Sequence, residues 1–366
     1  MPESTIILSQ EVERAGVISL ARFIELALYC PKSGYYERRG EPIGRRGDFY
    51  TSVSTGKLFG EMLAYLFARW LKDAALRPVQ LVEGGAHDGQ LAFDILNWLH
   101  RHRRKLLTEL EYWIVEPSEQ RQVWQREKLA PFARLVRWAP TFQNLPANGV
   151  NGVIYSNELL DALPVHRLAW NRASGRWSEW GVGWSHGHFV WAPLPDDARN
   201  WRTELTHAGF DLSPELEAVL PDGFIIEHCP AAGIWWRQAA ASLRQGRLLT
   251  FDYGLTARQF LSPARSHGTL RAYRHHQPTT DVLADPGQQD LTTHLNFTQL
   301  QKEGEREGLK TEQFVTQGEF LTAVASKMWS EEKRTLSPTQ KRQFQSLTHP
   351  EHLGSAFQVL IQSRNC

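Results

Sequence analysis

The sequence predicts an α/β protein on a Rossmann-like sheet with helices on both faces, on three observations. Val79–Leu96, VQLVEGGAHDGQLAFDIL, reads as a short apolar strand ending at Glu83, a glycine turn at Gly84, Gly85 and Gly89, and an amphipathic helix. A second apolar run, EYWIV at Glu111–Val115, also stops on an acid, Glu116. Strand and helix then alternate to the C-terminus, which implies a parallel sheet of about seven strands.

Residues 1–75 read as an N-terminal helical and cofactor-lid segment and 76–366 as the main domain. In the first part, apolar residues recur at helical spacing over 16–29, and Pro31 and Gly34 end that helix. A Gly- and Arg-rich stretch follows, in which Thr51 and Ser52 precede a helical pattern beginning near Thr55, as small hydroxyl residues do at an N-cap. In the second part, helices are expected over 89–103 and 118–129, and strands over 111–116, Leu135–Trp138 and Gly152–Ser156. The last of these runs straight into Asn157, Glu158 and Asp161, polar residues at the carboxyl end of a strand, where open α/β sheets bind ligands. Residues 165–192 break the rhythm with alternating aromatics and glycines, the pattern of an inserted β-hairpin. Its Trp177, Trp180, Trp184 and Trp191 fit either a stacking platform or the packing of a small sheet, the latter being the commoner use of such aromatics. The alternation resumes with a strand at Phe224–Glu227, a helix over Ala231–Leu243 and a strand at Arg247–Phe251. The long polar loop 256–294, containing Tyr273 between Arg271 and Arg274, reads as a lid. Helices after Phe297 and strands at Lys310–Val315 and Ala356–Ile361 complete one domain.

Composition excludes several function classes. With 42% apolar and 22% charged residues and a net charge of +1 over 366 residues, the chain is globular and carries no global field for nucleic acid. The basic run Arg101–Lys105 reads as a solvated helix end. No apolar run approaches the ~20 residues of a membrane span. Three cysteines in no metal-ligand spacing imply a reducing compartment and no bound metal. Because MPESTIILSQEVE carries acids and no arginine before Arg14, it resembles neither a secretory signal nor a transit peptide, and the expectation is a cytoplasmic protein. Oligomeric state is not legible.

The turn lacks G-x-G-x-x-G, which argues against a nicotinamide-dependent oxidoreductase. Two acids at successive strand ends point instead to a nucleoside-bearing cofactor, with Glu116 placed to accept both ribose hydroxyls and Gly85 and Gly89 admitting close backbone approach.

The stretches GYYERRGEPIGRRGDFYTS, VEGGAHDG, VEPS, SNELLDALPVHRL, FDYG, GTLRAYRHH, DPGQQDLTTHLNF and QGEFL, spread over about residues 16–363, resemble the MidA family of S-adenosylmethionine-dependent methyltransferases. The resemblance implies a seven-stranded class I methyltransferase fold with S-adenosylmethionine as cofactor. It also implies a protein arginine as methyl acceptor, the partner being a respiratory-complex or other assembly subunit. By the same analogy Gly47, Asp48 and Thr51 would close over the cofactor beside Glu83, Gly85, Gly89 and Glu116. The family's E-x-G-x-G-x-G aligns with Glu83, Gly85, His87 and Gly89, so a histidine stands at the middle glycine. A side chain there costs most where φ must be positive, although histidine is enriched in the left-handed region.

Methyl transfer from a sulfonium is an in-line displacement that gains chiefly from alignment. An arginine acceptor additionally needs carboxylates to grip its N–H groups and take a proton, because guanidinium is protonated at any working pH. Glu158 and Asp161 are the expected catalytic acids, Asn157 an orienting group, and Glu227 and Tyr273 secondary substrate contacts. Two other readings stay open: a methyltransferase on another acceptor, and a catalytically degenerate relative that binds a partner through the aromatic hairpin.

Overall fold

A computed structural model describes residues 3–38, 51–72, 77–195, 199–274, 277–279, 281–332 and 335–366. Gly47 and Asp48 lie outside the described residues. The chain opens with α1 (Glu3–Ala15), β1 (Val17–Ser19), α2 (Leu20–Tyr29) and α3 (Leu58–Lys72). The α/β run follows as β2 (Val79–Gly84), α4 (Gln90–His102), α5 (Arg104–Thr108), β3 (Leu110–Val115), α6 (Glu119–Lys128), β4 (Val136–Ala139) and β5 (Val150–Asn157). Next come β6 (His166–Asn171), β7 (Arg176–Ser185), β8 (His188–Pro193), α7 (Trp201–His207), α8 (Pro214–Val219) and β9 (Ile225–His228). After α9 (Pro230–Ser242), β10 (Leu243–Leu255) and α10 (Ala257–Phe260), the segment once read as a loop forms β11 (Arg271–Arg274), β12 (Gln277–Thr279) and β13 (Asp290–Thr292). The chain closes with β14 (Leu295–Asn296), α11 (Phe297–Arg306), β15 (Lys310–Thr316), α12 (Gln317–Glu332), α13 (Pro338–Thr348) and β16 (Phe357–Arg364).

The central sheet runs β15-β16-β10-β5-β2-β3-β4, with β14 added beside β10. Its core from β10 to β4 is parallel, while β16 is antiparallel to both β10 and β15. Both faces are covered, which explains why β2 reads as a continuous buried run rather than an alternating one. Side chains still alternate between the two cores. Leu81, Val153, Leu249 and Val359 face the layer of α3, α4 and α12, whereas Val82, Ile154, Leu248 and Leu360 face that of α2, α9 and α11.

A second, five-stranded sheet gathers β1, β6, β7, β8 and β9. It is larger than the expected hairpin for two reasons. Val17–Ser19, inside a stretch with helical periodicity, pairs with Gly181–Gly183 of β7, and Ser19 then caps α2 by accepting from the Arg22 N–H at 3.1 Å. Strand β9, whose apolar run looked like part of the main alternation, pairs with β6 instead. A short apolar strand does not announce which sheet it joins. The aromatics here pack their own sheet: Trp170 on Trp177 at 5.4 Å, Trp184 on Phe189 at 4.6 Å, and Arg167 over Trp191 at 4.6 Å.

Candidate functional site: a glycine turn, two acidic strand ends and a buried carboxylate cluster

At the carboxyl ends of β2, β3 and β5 lies a cavity of about 660 Å³, where open α/β sheets place their ligands. The turn after β2 forms one wall. Gly85 has φ +66°, and a Cβ there would stand 2.4 Å from Leu159 Cδ1. Gly89 has φ +87° and opens α4. His87 takes φ +47° in the same left-handed region, with 40% of its side chain exposed and its carbonyl accepting from Gln125 Nε2 at 2.9 Å. The turn therefore keeps its form without the middle glycine, at a cost of about 1 kcal/mol. Asp88, next in the turn, is held at a pKa of about 2: burial pushes it up, but His87, Lys128 and the Gln90 N–H outweigh that. Gly85→Ala is expected to destabilise the fold by about 1–3 kcal/mol and to abolish cofactor binding, measured by thermal melts and titration calorimetry.

The two acidic strand ends differ in environment. Glu83 accepts a 2.6 Å bond from the Tyr112 hydroxyl, which also bonds to Tyr155, and burial pushes its pKa up to about 7 against those hydrogen bonds. Glu116, after β3, accepts from the Ser118 N–H at 3.0 Å and from Gln125 Nε2 at 3.1 Å, and pairs with Arg121 at 3.1 Å. Arg121 reaches toward Glu37 as well, at 3.5 Å, tying the N-terminal segment to α6. Glu116 is not itself in the cavity lining, whereas Arg121 and Trp124 are. Arg121 Nε and Trp124 Nε1 are buried donors with no hydrogen-bond partner among the described residues. Buried donors left without acceptors at a cavity wall mark where a ligand's acceptors belong.

These features fit S-adenosylmethionine. A cradle that a single Cβ would fill, orphaned donors on α6 and an acid within the same wall suit its amino-acid and nucleoside parts. Glu116→Ala is expected to weaken S-adenosylmethionine binding by about 100-fold in calorimetry, while Glu116→Gln, which still accepts from the Ser118 N–H, should retain the fold.

Beyond the turn, β5 ends in a residue with its backbone reversed. Glu158 has φ +50°, its N–H continues the pairing to Phe251 O of β10 at 2.9 Å, and its side chain lines the cavity. Its Oε1 accepts from the Ser52 N–H at 2.9 Å and from Asn157 Nδ2 at 3.1 Å, while Oε2 is buried with no partner. Burial pushes its pKa up to about 8, against the Ser52 and Asn157 bonds. Behind it stand Asp161 and Asp252. Asp252 accepts from the backbone N–H of Leu160 and of Tyr253, both at 2.9 Å, and burial raises it to about 7. Burial, with the charges of Asp252, Asp290 and Glu158, holds Asp161 well above the carboxylate range. Asp290, at the start of β13, accepts from the Tyr36 hydroxyl at 2.7 Å. Tyr36 stacks on Tyr29 at 5.7 Å, and Tyr29 bonds to Ala162 O at 3.0 Å, so the N-terminal helix closes over this end of the cavity. Among the described residues, no lysine or arginine pairs with Glu158, Asp161 or Asp252.

Of the residues expected from sequence, Glu83, Gly85, Thr51, Asn157 and Glu158 line one cavity. Gly89 and Glu116 support its wall, and Asp161 stands behind Glu158. Glu227 is elsewhere: its carboxylate binds Arg167 at 2.8 Å and the Thr269 N–H at 2.6 Å, fastening β9 to β6 and to the segment before β11. Tyr273 faces Asp290 across β11 and β13 and is not part of the lining. Tyr29, Tyr36, Arg121, Trp124 and Asp290 were missed. Arg121 and Trp124 were findable, because their i, i+3 spacing puts them on one face of α6; Tyr29, Tyr36 and Asp290 meet only through long-range folding.

A family model described as "Putative S-adenosyl-L-methionine-dependent methyltransferase" matches residues 62–315. A crystal structure of a "likely methyl transferase" from Burkholderia thailandensis, bound to S-adenosyl-homocysteine, is 29% identical with a TM-score of 0.83, over 99% of this chain and 92% of that one. A native crystal structure from the same organism is 30% identical with a TM-score of 0.81, over 99% and 91%. Among curated proteins, the mitochondrial protein arginine methyltransferase NDUFAF7 homolog of Drosophila melanogaster is 25% identical over 96% of this chain and 83% of its own length. Its Xenopus laevis counterpart is 26% identical over 80% and 67%. The curated relatives overturn the cytoplasmic expectation, since they are named mitochondrial. Cys30, Cys229 and Cys366 are unpaired, and reduced thiols alone do not separate one reducing compartment from another. No helix among the described residues is long and apolar enough to cross a membrane. With the matched family model and the agreement with a solved relative over nearly the whole chain, this protein belongs to the MidA family of S-adenosylmethionine-dependent methyltransferases.

Proposed function

We propose that the protein transfers a methyl group from S-adenosylmethionine to an arginine side chain of a protein substrate. The observation that carries this reading is the cluster of Glu158, Asp161, Asp252 and Asp290, buried together without a described lysine or arginine against the first three. Buried carboxylates that lack a cation hold protons instead, and an arriving guanidinium supplies the missing charge. Its planar fork of five N–H donors also suits several acceptors better than an ammonium does. The relatives named above as protein arginine methyltransferases support the same reading.

The bound cofactor supplies an electrophilic methyl on a positively charged sulfur. Glu158 Oε2, the unpartnered oxygen at the cavity wall, binds a guanidinium N–H and orients that nitrogen. As the N–C bond forms and the C–S bond breaks, the nitrogen's proton passes to the Glu158 carboxylate. Asn157 and the Ser52 N–H hold the carboxylate still while this happens. Asp252 and Asp290 make it harder to ionise, and Tyr29 and Tyr36 exclude water from the acid end. The expected acceptor is a subunit of a respiratory or other assembly.

The test is transfer of labelled methyl from S-adenosylmethionine to paired peptides that differ only in Arg or Lys at one position. Label on the arginine peptide alone, recovered as methylarginine after hydrolysis, is the expected result; label on lysine, or on neither peptide by a protein that binds the cofactor, would overturn the arginine reading. A degenerate relative would bind neither cofactor nor acceptor chemistry, and the intact left-handed turn at His87 favours the enzyme.

A further inference from the structure

We propose that the protein carries a second binding site, for a phosphate-type oxyanion, behind the Thr51–Thr55 turn and linked through that turn to the cofactor cavity. A separate cavity of about 190 Å³ lies there, lined by Ser54, Thr55, Thr339, Arg342, Gln343 and Ser346. The last four sit at i, i+3, i+4 and i+7 of α13, so one helical face is turned to the cavity. That face offers hydroxyls, an amide and a guanidinium, with Thr339 and Arg342 exposed and no carboxylate among the lining residues.

Two side chains there are underused. Among the described residues Arg342 donates to Thr339 Oγ1 alone, at 3.4 Å, and meets no carboxylate. Gln343 Oε1 is buried without a hydrogen-bond partner. A guanidinium asks for an anion, and an orphaned amide oxygen asks for a donor. A phosphate or phosphate ester that retains one P–O–H supplies both. The turn contributes the opposite wall through Ser54 and Thr55, whose hydroxyls donate to Thr51 O at 2.9 Å and to Ser52 O at 2.8 Å, so the donors left for an oxyanion come from α13.

The link to the main site is short. Ser54 lines both cavities. Two residues earlier the Ser52 N–H holds Glu158 Oε1, and Ser52 Oγ donates to Gln317, whose Nε2 donates to Leu347 O of α13. An oxyanion seated against α13 therefore bears on a turn that borders the cofactor, and coupling between two sites is reciprocal.

The experiment is calorimetric titration of the full chain with inorganic phosphate, and separately with O-phospho-L-serine, in a buffer free of phosphate and sulfate. Saturable binding is expected, weakened about tenfold or more by Arg342→Gln, since a charge-assisted bond is lost. Ser346→Ala serves as a second variant should Arg342→Gln fold poorly. S-adenosylmethionine affinity should shift when phosphate is present in the wild type but not in Arg342→Gln, and should equal the wild-type value in that variant without phosphate. Binding of both probes identifies free phosphate as a sufficient ligand, and binding of phosphoserine alone identifies an ester. No saturable binding of either probe, or binding that Arg342→Gln leaves intact, overturns the site; saturable binding with no shift in cofactor affinity overturns the link.

Discussion

Glu158→Gln is expected to cut the rate of methyl transfer by about 10²–10⁴-fold while leaving S-adenosylmethionine affinity within about twofold, the range spanned by loss of a positioned general base. The amide still accepts from the Ser52 N–H and from Asn157 through its carbonyl oxygen, so the turn and the end of β5 keep their arrangement. What disappears is the second oxygen, which has no hydrogen-bond partner among the described residues and is the atom free to take a proton. In the wild type, kcat/KM should rise with pH through about 8, where free Glu158 ionises, and the variant should lose that limb. Measured kcat, KM and cofactor dissociation constants across pH 6–9 separate the roles. An equal loss of cofactor binding would mark Glu158 as a scaffold residue instead. Asp161→Asn is expected to lower the rate less and to leave that limb in place, because the like charges that raise Glu158 are those of Asp252 and Asp290.

The outcome at Glu158 also explains which parts of the site were legible in the sequence. Glu83, the glycine turn, Glu116 and Asn157–Glu158 are each the last residues of an apolar strand, and a parallel sheet brings all such ends to one edge whatever the helices do. That argument needs only chain order. It misplaced Glu227, which also ends an apolar strand, because β9 belongs to the second sheet and its acid is consumed by Arg167 and Thr269. Tyr36 and Asp290 are separated by more than two hundred residues and carry no local pattern; they meet because α2 packs over β13 and the end of β5. The three-residue strand β1 was hidden in helical periodicity, its register being set by Gly181 and Gly183 of β7 and not by its own sequence. The turn at His87 is a further case: the residue type predicts a strained position, and only the exposed side chain and left-handed φ show why it is tolerated.

The buried acids should also set how stability depends on pH, and with a sign opposite to that of ordinary salt-bridged carboxylates. Glu158, Glu83 and Asp252 have native pKa values raised to about 8, 7 and 7, above those of the unfolded chain. A group of this kind stabilises fully below its unfolded pKa, and that contribution is lost as pH rises through the folded value. His228 and His294 act the other way: burial lowers each to about 4 from 6.5, so their contribution is lost as pH falls below 6.5. The two effects oppose each other in the acid range and leave the carboxylates alone above it. Three carboxylates outweigh two histidines even in the acid range, so stability is expected to be greatest near pH 4.5, to decline from that point, and to fall by about 3 kcal/mol between pH 6.5 and 8.5, at about 1.4 kcal/mol per unit of remaining shift. Urea unfolding at a series of pH values measures this directly. Asp252→Asn and Glu158→Gln should each flatten the descent, although Asp252→Asn keeps only one of two oxygens for the N–H groups of Leu160 and Tyr253 and starts from a lower stability. An acceptor peptide bearing arginine, added with S-adenosylhomocysteine, should reverse the slope, because a guanidinium beside the cluster stabilises the ionised carboxylates that the free protein tolerates poorly. A lysine peptide that reversed it equally would show that the cluster reads charge alone. A slope that neither peptide changes would place the raised pKa values outside the acceptor site. Glu158, Asp161 and Asp252 thus link fold and reaction: they cost stability when ionised without a cation, and they are expected to recover it when a guanidinium arrives beside them.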